Sequence, residues 1–215
     1  MLWTIAIAGI PERFHSCQPL LYSLLETQGV ARLPDVECLY LLDNKRRPVG
    51  AKRNALLDAA RGQYISFADD DDQVAPDYVQ RIRDTLLKVG KMEPPVDVIT
   101  FGQRATLHPH GITHECTYSL EHWRNRKPEE RRQLAPAPGP DGKPLPNVLL
   151  WTGPPAHTMV WRRAILDGLR FPEKQFGEDV DFVDAACAKA GSEIVLNGQP
   201  LYFYNFDAER SATRG

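Results

Sequence analysis

Four consecutive aspartates, Asp69 to Asp72, follow directly on a short apolar segment, residues 64–68. This segment is typical of a buried strand, so the carboxylates stand at its C-terminal end. Adjacent like charges repel one another, and a divalent metal ion carrying a polyphosphate is the most economical counter-charge. The plainer interpretation is a solvated acidic turn. We favour the metal interpretation because ligands of open α/β sheets bind outside the carboxyl ends of the strands.

Two further carboxylate positions stand at the ends of predicted elements. Asp43 follows the apolar segment 36–42, and Glu178 and Asp179 open a helix that begins after Gly177. If the strands before Asp43 and Asp69 are neighbours, their carboxylates lie close together. A helix N-terminus favours negative charge on its own, so the alternative for Glu178 and Asp179 is simple capping.

The elements that must position these residues alternate between strand and helix. Strand, helix, strand, helix, strand in about seventy residues is the signature of a parallel sheet with covering helices, so we predict an α/β fold. The predicted strands are 2–8, 36–42 and 64–68, and the helices are 16–29 and 50–61. After residue 100 the alternation weakens. Strands are still predicted at 113–118 and 157–161, and a helix at about 178–190.

Composition narrows the class of protein. The chain has 215 residues, 42% hydrophobic and 25% charged, as expected for one soluble globular domain. A net charge of −2 argues against a surface built wholly for nucleic acid. No apolar run is long enough to span a bilayer, and no secretory signal is recognisable. Four scattered cysteines, without metal-site spacing, read as reduced packing residues. We therefore expect a cytoplasmic protein.

Four blocks of the chain resemble family 2 glycosyltransferases of the GT-A fold. They are Asp43, residues 50–56 (GAKRNAL), residues 60–72 (ARGQYISFADDDD) and residues 177–182 (GEDVDF). The family pattern runs in the same order, from a strand-end Asp through a G-x-x-x-A/R-N helix start to A-x-G-x-Y-I-x-F-x-D-x-D-D and E-D-x-D-F. The resemblance covers most of the chain and is strongest over residues 2–80 and 170–190.

The resemblance implies a Rossmann-like, three-layer GT-A fold. Its central sheet would be mostly parallel, with a smaller mixed C-terminal region. Residues 1–215 would form a single domain, in which 1–100 bind the nucleotide sugar and 101–215 bind the acceptor. Prolines and glycines at about 134–146 predict a loop without regular structure.

The resemblance also implies a donor site. Its residues would be Gly9, Pro11, Glu12, Asp43, Lys52, Arg53, Asp69 and Asp70. Asp43 would accept hydrogen bonds from the base and Asp69 would lie near the ribose, whereas the parts played by Asp70 and Asp72 stay open. Arg53 would approach the nucleotide, although an arginine on an early helical turn is more often a surface cation. Asp71, with Asp69, would hold Mn²⁺ or Mg²⁺ against the pyrophosphate.

For the chemical step, the resemblance makes Asp179 the general base that takes a proton from the acceptor hydroxyl. One base suffices for an inverting, single displacement. Glu178 would orient Asp179 or touch the acceptor. Many metal-dependent relatives add a C-terminal His, which this chain lacks. Either Asn205 or Asp207 takes its place, or the acidic run and the substrate hold the metal alone.

The acceptor side is weakly specified. Relatives often shape the acceptor pocket with the stretch that contains Trp151, Gly153 and His157. The alternatives are core packing for the tryptophan and a satisfied structural role for the histidine. A basic cluster could meet an anionic acceptor such as a phosphorylated glycan, a polymer or DNA, or it could be a solvated helix face. Its members are Arg124, Arg126, Lys127, Arg131 and Arg132.

The leading hypothesis is therefore a metal-dependent, inverting transferase that uses a nucleotide sugar, most simply a UDP-sugar. A Mg²⁺-dependent nucleotidyltransferase is the nearest enzymatic alternative. It usually carries a glycine-rich phosphate loop, and residues 9–13 are too poor in glycine for one. A non-catalytic nucleotide-sugar-binding module is the third. That module would have no need of both an intact acidic run and a late carboxylate pair, and this chain keeps both.

Overall fold

Two six-stranded sheets form the frame of the protein. The computed structural model describes residues 1–90, 92–108, 110–126, 135–139, 141–174 and 177–207, with backbone only at 206 and 207. The strands are β1 (Trp3–Gly9), β2 (Val36–Leu42), β3 (Tyr64–Asp69), β4 (Gln73–Val74), β5 (Val98–Phe101), β6 (Gln103–His108), β7 (Ile112–Tyr118), β8 (Ala135–Pro138), β9 (Pro144–Gly153), β10 (Val160–Arg162), β11 (Glu193–Leu196) and β12 (Tyr202–Asp207).

The first sheet has the strand order β11-β5-β10-β3-β1-β2. The pairs β1–β2, β1–β3 and β5–β11 are parallel, and only β10 runs against its neighbours. Strands β1 and β3 are almost wholly buried, as continuous apolar runs in a covered parallel sheet should be. The indole Nε1 of Trp3 donates to Ser66 Oγ at 3.1 Å, so this buried polar pair is satisfied between the two strands.

Five α-helices accompany the sheets in the described part of the chain. They are α1 (Phe14–Tyr22), α2 (Val49–Ala59), α3 (Tyr78–Val89), α4 (Leu120–Asn125) and α5 (Glu178–Lys189). A 3-10 turn, Pro11–Arg13, precedes α1, so the helix starts earlier than residue 16. Helix α2 begins with a very close approach, because a Cβ on Gly50 would lie 2.0 Å from the carbonyl oxygen of Pro172. Of the helices within the described ranges, none is both long and apolar enough to cross a membrane.

The second sheet has the order β4-β12-β6-β7-β9-β8 and mixes parallel with antiparallel pairs. We expected the C-terminal region to be the smaller part of the fold, but within the described residues its sheet has as many strands as the first. The prediction of an irregular loop at about 134–146 is wrong where the chain is described, because residues 135–138 pair antiparallel with β9. Strand β8 lies at the sheet edge, where a proline without an N–H can be accommodated, and a register shift between Pro136 and Pro138 absorbs the irregularity.

Asp97 ties three separate pieces of the first sheet together. Its Oδ1 accepts from Arg162 Nε at 2.9 Å, and its Oδ2 accepts from the backbone N–H groups of Gly191 at 2.7 Å and Ser192 at 3.1 Å. Burial alone would raise the pKa of this carboxyl, but the hydrogen bonds and the Arg162 charge outweigh it and hold the pKa below its usual range.

We expect this carboxylate to make the protein acid-sensitive. A folded-state pKa below the unfolded one gives stability that is present above the unfolded pKa and is lost as pH falls through the folded value. Asp97→Asn should therefore lower the free energy of unfolding at pH 7 by about 1–3 kcal/mol and flatten its decline below about pH 4. Thermal melts at pH 7 and pH 3.5 test this. Asp58→Asn is the control, because its exposed pair with Arg170 contributes little; equal acid sensitivity in wild type and Asp97→Asn would contradict the prediction.

Candidate active site

The predicted site residues gather at the C-terminal ends of β2, β1 and β3. Gly9 pairs with Leu42 in register, and Ala8 pairs with Asp69. Strand β1 thus lies between the two acidic strand ends, so Asp43 and the acidic run are separated by one strand rather than adjacent. The carboxyl edge of a parallel sheet is where α/β proteins bind ligands. We use the term cleft for the region between the acidic run and the start of α5, where Arg53 and His157 contact both sides.

The acidic run divides into residues that face the protein and residues that face the cleft. Asp72 is 1% exposed, and it accepts from the hydroxyl of Tyr202 at 2.6 Å and from the backbone N–H of Asn205 at 3.1 Å. Asp70 is also buried and accepts from the backbone N–H of Ile10 at 3.2 Å. The side chains of Asp69 and Asp71 are 30% and 34% exposed. Two of the four aspartates therefore hold the loop, and the other two are partly exposed.

The electrostatics of the run favour the arrival of positive charge. Burial raises the pKa of Asp71 to about 6, and the neighbouring charges of Asp69 and Asp70 add to it, although Arg13 opposes the shift. Burial and Asp69 likewise raise the pKa of Asp72 well above its usual range. A cation bound at Asp71 would relieve this repulsion.

Arg53 is the hub of the cleft. Its side chain is 6% exposed; it donates to Asp69 at 2.7 Å and forms a short ion pair with Glu178. Its guanidinium lies 5.6 Å from the ring centroid of Phe171, which in turn stacks on Phe182 of α5 at 3.8 Å. The interpretation of Arg53 as a surface cation is wrong, because α2 carries it directly under the acidic run.

His157 bridges the two sides of the cleft. Its Nε2 lies 3.0 Å from Arg53 Nη2 and 3.5 Å from an Asp69 oxygen, and its Nδ1 lies 3.4 Å from Asp179 Oδ2. The Nδ1 contact is close enough for charge attraction, but its alignment is too poor for a good hydrogen bond. The predicted strand 157–161 begins only at Val160, so His157 lies in the preceding loop.

Glu178 and Asp179 begin α5, and their side chains differ in burial and in partners. Gly177 has φ +68°, a left-handed conformation that favours glycine, and the helix starts immediately after it. Glu178 is buried and forms an ion pair with Arg53 inside the protein. Asp179 has a 37% exposed side chain. Burial raises its pKa, but the contact with His157 and the charges of His157 and Arg53 lower it to about 2, so it is ionised at neutral pH.

A second hollow lies beside Asp43, on the other side of β1. Its lining residues are Pro11, Leu42, Asp43, Asn44, Arg46 and Arg47. Asp43 accepts from Arg47 Nε at 2.8 Å and from the backbone N–H of Lys45 at 3.1 Å. Lys52 is buried with its Nζ 3.5 Å from the carbonyl oxygen of Gly9, whereas Glu12 is at the rim and pairs with Lys45.

The three predicted acceptor residues do not lie together. His157 lies in the cleft, but Trp151 and Gly153 belong to β9 of the second sheet, where the indole packs edge-on against Tyr118 at 5.2 Å between ring centroids. Tyr118 donates to Gln103, which donates to Thr158 next to His157. The second sheet is thereby joined to the cleft through a chain of buried hydrogen bonds.

Comparisons with known proteins identify the family. Glycosyl transferase family 2 matches residues 30–137, just over half of the chain. The chain belongs to glycosyl transferase family 2. A search of curated proteins finds no match. Three similar solved structures are of S. aureus TarS 1–349: one alone, one with UDP-GlcNAc and one with UDP. They share 17%, 16% and 16% identity with TM-scores of 0.57, 0.61 and 0.58.

These structures cover 95%, 100% and 97% of this chain, which spans only 60–62% of theirs. At such identity the likeness concerns the fold, and together with the family match it confirms the predicted GT-A fold. The predicted resemblance to family 2 glycosyltransferases is confirmed by the family match. The match ends at residue 137, so the placement of α5 in the site depends on geometry alone.

The basic cluster and the C-terminal strand of this family 2 chain make contacts that the sequence did not predict. Arg124 donates to the carbonyl oxygen of Ala190 and Arg126 pairs with Asp184 of α5, while Lys127, Arg131 and Arg132 lie outside the described residues. Sequence reasoning missed Tyr202, whose hydroxyl accepts from the backbone N–H of Asp69 as well as binding Asp72. Its position in a short apolar strand indicated only a residue of the hydrophobic core.

Of the residues suggested to replace the absent histidine, Asn205 contributes its backbone N–H to Asp72, and the side chain of Asp207 lies outside the described residues. Burial and the charges of Asp72, Asp69, Asp71 and Asp179 raise the pKa of neighbouring Tyr204 to about 12. This phenol therefore stays protonated at neutral pH and can donate a hydrogen bond. The sequence alone did not suggest this role for Tyr204.

Within the described ranges, no group of three or more His, Cys, Asp or Glu side chains could hold a metal ion. A cation that binds with a nucleotide needs only one or two carboxylates, since phosphate oxygens and water complete its shell. The partly exposed side chain of Asp71 and its raised pKa suit that arrangement. Both oxygens of Asp69 already face Arg53 and His157, so Asp71 fits the first ligand better.

Proposed function

We propose that this chain transfers a sugar from a UDP-sugar to an acceptor hydroxyl with inversion, assisted by Mn²⁺ or Mg²⁺ at Asp71. The observation that carries the proposal is the convergence of Asp179 with the outward half of the acidic run, joined through Arg53 and His157. The family match favours this proposal over the alternative of a nucleotidyltransferase. A binding module without activity is tested by the variant of Asp179 considered below.

For the donor, the hollow beside Asp43 supports binding of the base. Asp43 keeps its carboxylate oriented through Arg47, and a fixed acceptor at a strand end suits an imide N–H such as that of uracil. Lys52 and Arg53 bring positive charge to the side where the diphosphate would lie between Asp43 and the acidic run. S. aureus TarS 1–349 has been captured with UDP-GlcNAc, which makes that nucleotide sugar the first donor to try.

For the reaction, the acceptor oxygen would attack the anomeric carbon as the bond from that carbon to the phosphate oxygen breaks. Asp179 would take the hydroxyl proton, and the nucleoside diphosphate would leave from the opposite face. His157 and Arg53 hold the Asp179 side of the cleft, which reduces the reorganisation needed at that moment. When bound, the divalent cation would neutralise charge on the departing diphosphate.

The acceptor is proposed only as a class, a hydroxyl on a glycan or a glycan-like polymer. Its entry would be along the exposed face of Asp179. The described members of the basic cluster already have partners within the protein, Ala190 for Arg124 and Asp184 for Arg126, so they add no support for a DNA acceptor.

We expect UDP-GlcNAc with Mn²⁺ to stabilise the protein. A ligand at about one hundred times its dissociation constant adds about 2.7 kcal/mol, which for a domain of this size is a rise of roughly 5–10 °C in melting temperature. Asp71→Ala should lose the Mn²⁺-dependent part of the rise. Asp84→Ala, on the outer face of α3, is the matched control. A shift in wild type that is the same with and without Mn²⁺ would rule out the metal site.

A further inference from the structure

One arginine already occupies the position of a counter-cation at the acidic run. Arg13 closes the 3-10 turn after β1, and its Nη1 lies 2.8 Å from Asp71 Oδ2 and 3.2 Å from Asp70 Oδ1. A single guanidinium nitrogen is thus shared between two neighbouring carboxylates. The side chain of Arg13 is 23% exposed, so it is not enclosed in the core.

The two carboxylates that share Arg13 differ in how firmly they are held. Asp70 is 6% exposed and keeps a second contact with the backbone N–H of Ile10. Asp71 is 34% exposed, and Arg13 is the cation that the structure pairs with it. The contact of Arg13 with Asp70 can therefore persist while its contact with Asp71 is exchanged.

Arg13 and a divalent cation compete for the same oxygen. A cation bound to Asp71 Oδ2 would stand within a few ångströms of the guanidinium, and like charges at that distance repel strongly. Arg13 would then turn its remaining N–H groups toward the cleft. A guanidinium offers five donors in a planar fork that matches phosphate oxygens, so the diphosphate is the natural new partner.

We propose that Arg13 is the resident counter-cation of the donor-free protein and moves from Asp71 to the donor diphosphate when metal and nucleotide bind. This inference rests on the proposed function. It gives Arg13 a positioning role with two opposite effects. The residue weakens metal binding before the donor arrives, and it strengthens diphosphate binding afterwards, so metal and nucleotide should load together.

Binding of Mn²⁺ to the donor-free protein, followed by electron paramagnetic resonance, tests the first effect. Arg13→Met should bind Mn²⁺ about five- to tenfold more tightly than wild type, because the competing charge is gone. Arg83→Met is the control: Arg83 is 25% exposed and pairs with Asp35, so the variant removes an equal charge outside the cleft. Equal Mn²⁺ affinity of wild type and Arg13→Met, or no binding by either, overturns the proposal.

Calorimetric titration with UDP at saturating Mn²⁺ tests the second effect. Arg13→Met should bind UDP about tenfold more weakly than wild type, and Arg13→Lys, which keeps the charge without the fork, should fall between them. Unchanged UDP affinity in Arg13→Met overturns the diphosphate contact. The lysine variant also serves if the methionine variant fails to fold. Failure of the proposed function is distinct, since wild type would then bind no nucleotide sugar, whereas the Mn²⁺ titration needs no donor.

Discussion

Asp179→Asn should lower the rate of sugar transfer by about a thousandfold while the affinity for the nucleotide sugar stays close to that of wild type. Asparagine keeps the size and the polarity of the side chain, but it cannot take a proton from the acceptor hydroxyl. The Asp179 carboxylate is ionised at neutral pH, with a pKa of about 2, so the loss of the base should not depend on pH between about 6 and 8. Donor binding by calorimetry and product formation by mass spectrometry separate the two effects.

Asp181→Asn is the matched control for this variant. Asp181 also lies in the first turn of α5, but it is exposed and pairs with Lys174 at 2.6 Å. It should retain transfer within about twofold of wild type, since exposed pairs contribute little. Retained turnover in Asp179→Asn would assign the base elsewhere. Donor binding without transfer in wild type, across a range of acceptors, would instead favour the non-catalytic binding module.

Arg53→Met should be the most destabilising substitution in the cleft, at about 3–5 kcal/mol. Arg53 is almost fully buried between Asp69 and Glu178, and its removal leaves two carboxylates without their counter-charge. Methionine fills most of the volume and can still pack on Phe171. Urea unfolding of wild type and variant gives the change in free energy directly.

The pairing can be isolated with a second substitution. Glu178→Gln removes one of the two carboxylates, so the double variant Arg53→Met/Glu178→Gln should recover part of the loss and show a coupling energy of about 1–3 kcal/mol. Arg170→Met is the control, because its partner Asp58 is exposed and the pair should contribute less than about 1 kcal/mol. Additive effects of the two cleft substitutions would mean that Arg53 and Glu178 do not depend on each other.

Much of the donor side could be predicted from strand ends. Apolar runs of strand length located β1, β2 and β3, and the carboxyl ends of parallel strands meet at one edge, so Asp43 and the acidic run were expected there. The strand order was harder, since nothing in the local pattern says that β1 separates the other two. Asp179 followed from the order of the motifs and from its place at a helix start.

The division of labour within the acidic run could not be predicted. Which aspartates turn inward depends on Tyr202 and Asn205, whose contacts to Asp72 span 130 and 133 positions. No local pattern carries such information. His157 was expected only as an acceptor-pocket residue, and its contacts with Asp69 and Asp179 could not be predicted, because it lies in an irregular loop and the two carboxylates come from distant parts of the chain. The prolines of β8 misled for the opposite reason, since an edge strand tolerates what a central strand does not.

The antiparallel strand β10 has a consequence for how rigid the cleft is. It is inserted between β3 and β5, hydrogen-bonded on both sides, with Val160 and Trp161 fully buried. His157 lies three positions before the start of this strand, and its carbonyl oxygen accepts from the backbone N–H of Phe67. The backbone amides of β10 should therefore be among the slowest in the protein to exchange hydrogen with solvent. The histidine is ordered when the chain folds, not when a substrate arrives, so binding need not spend free energy on fixing it.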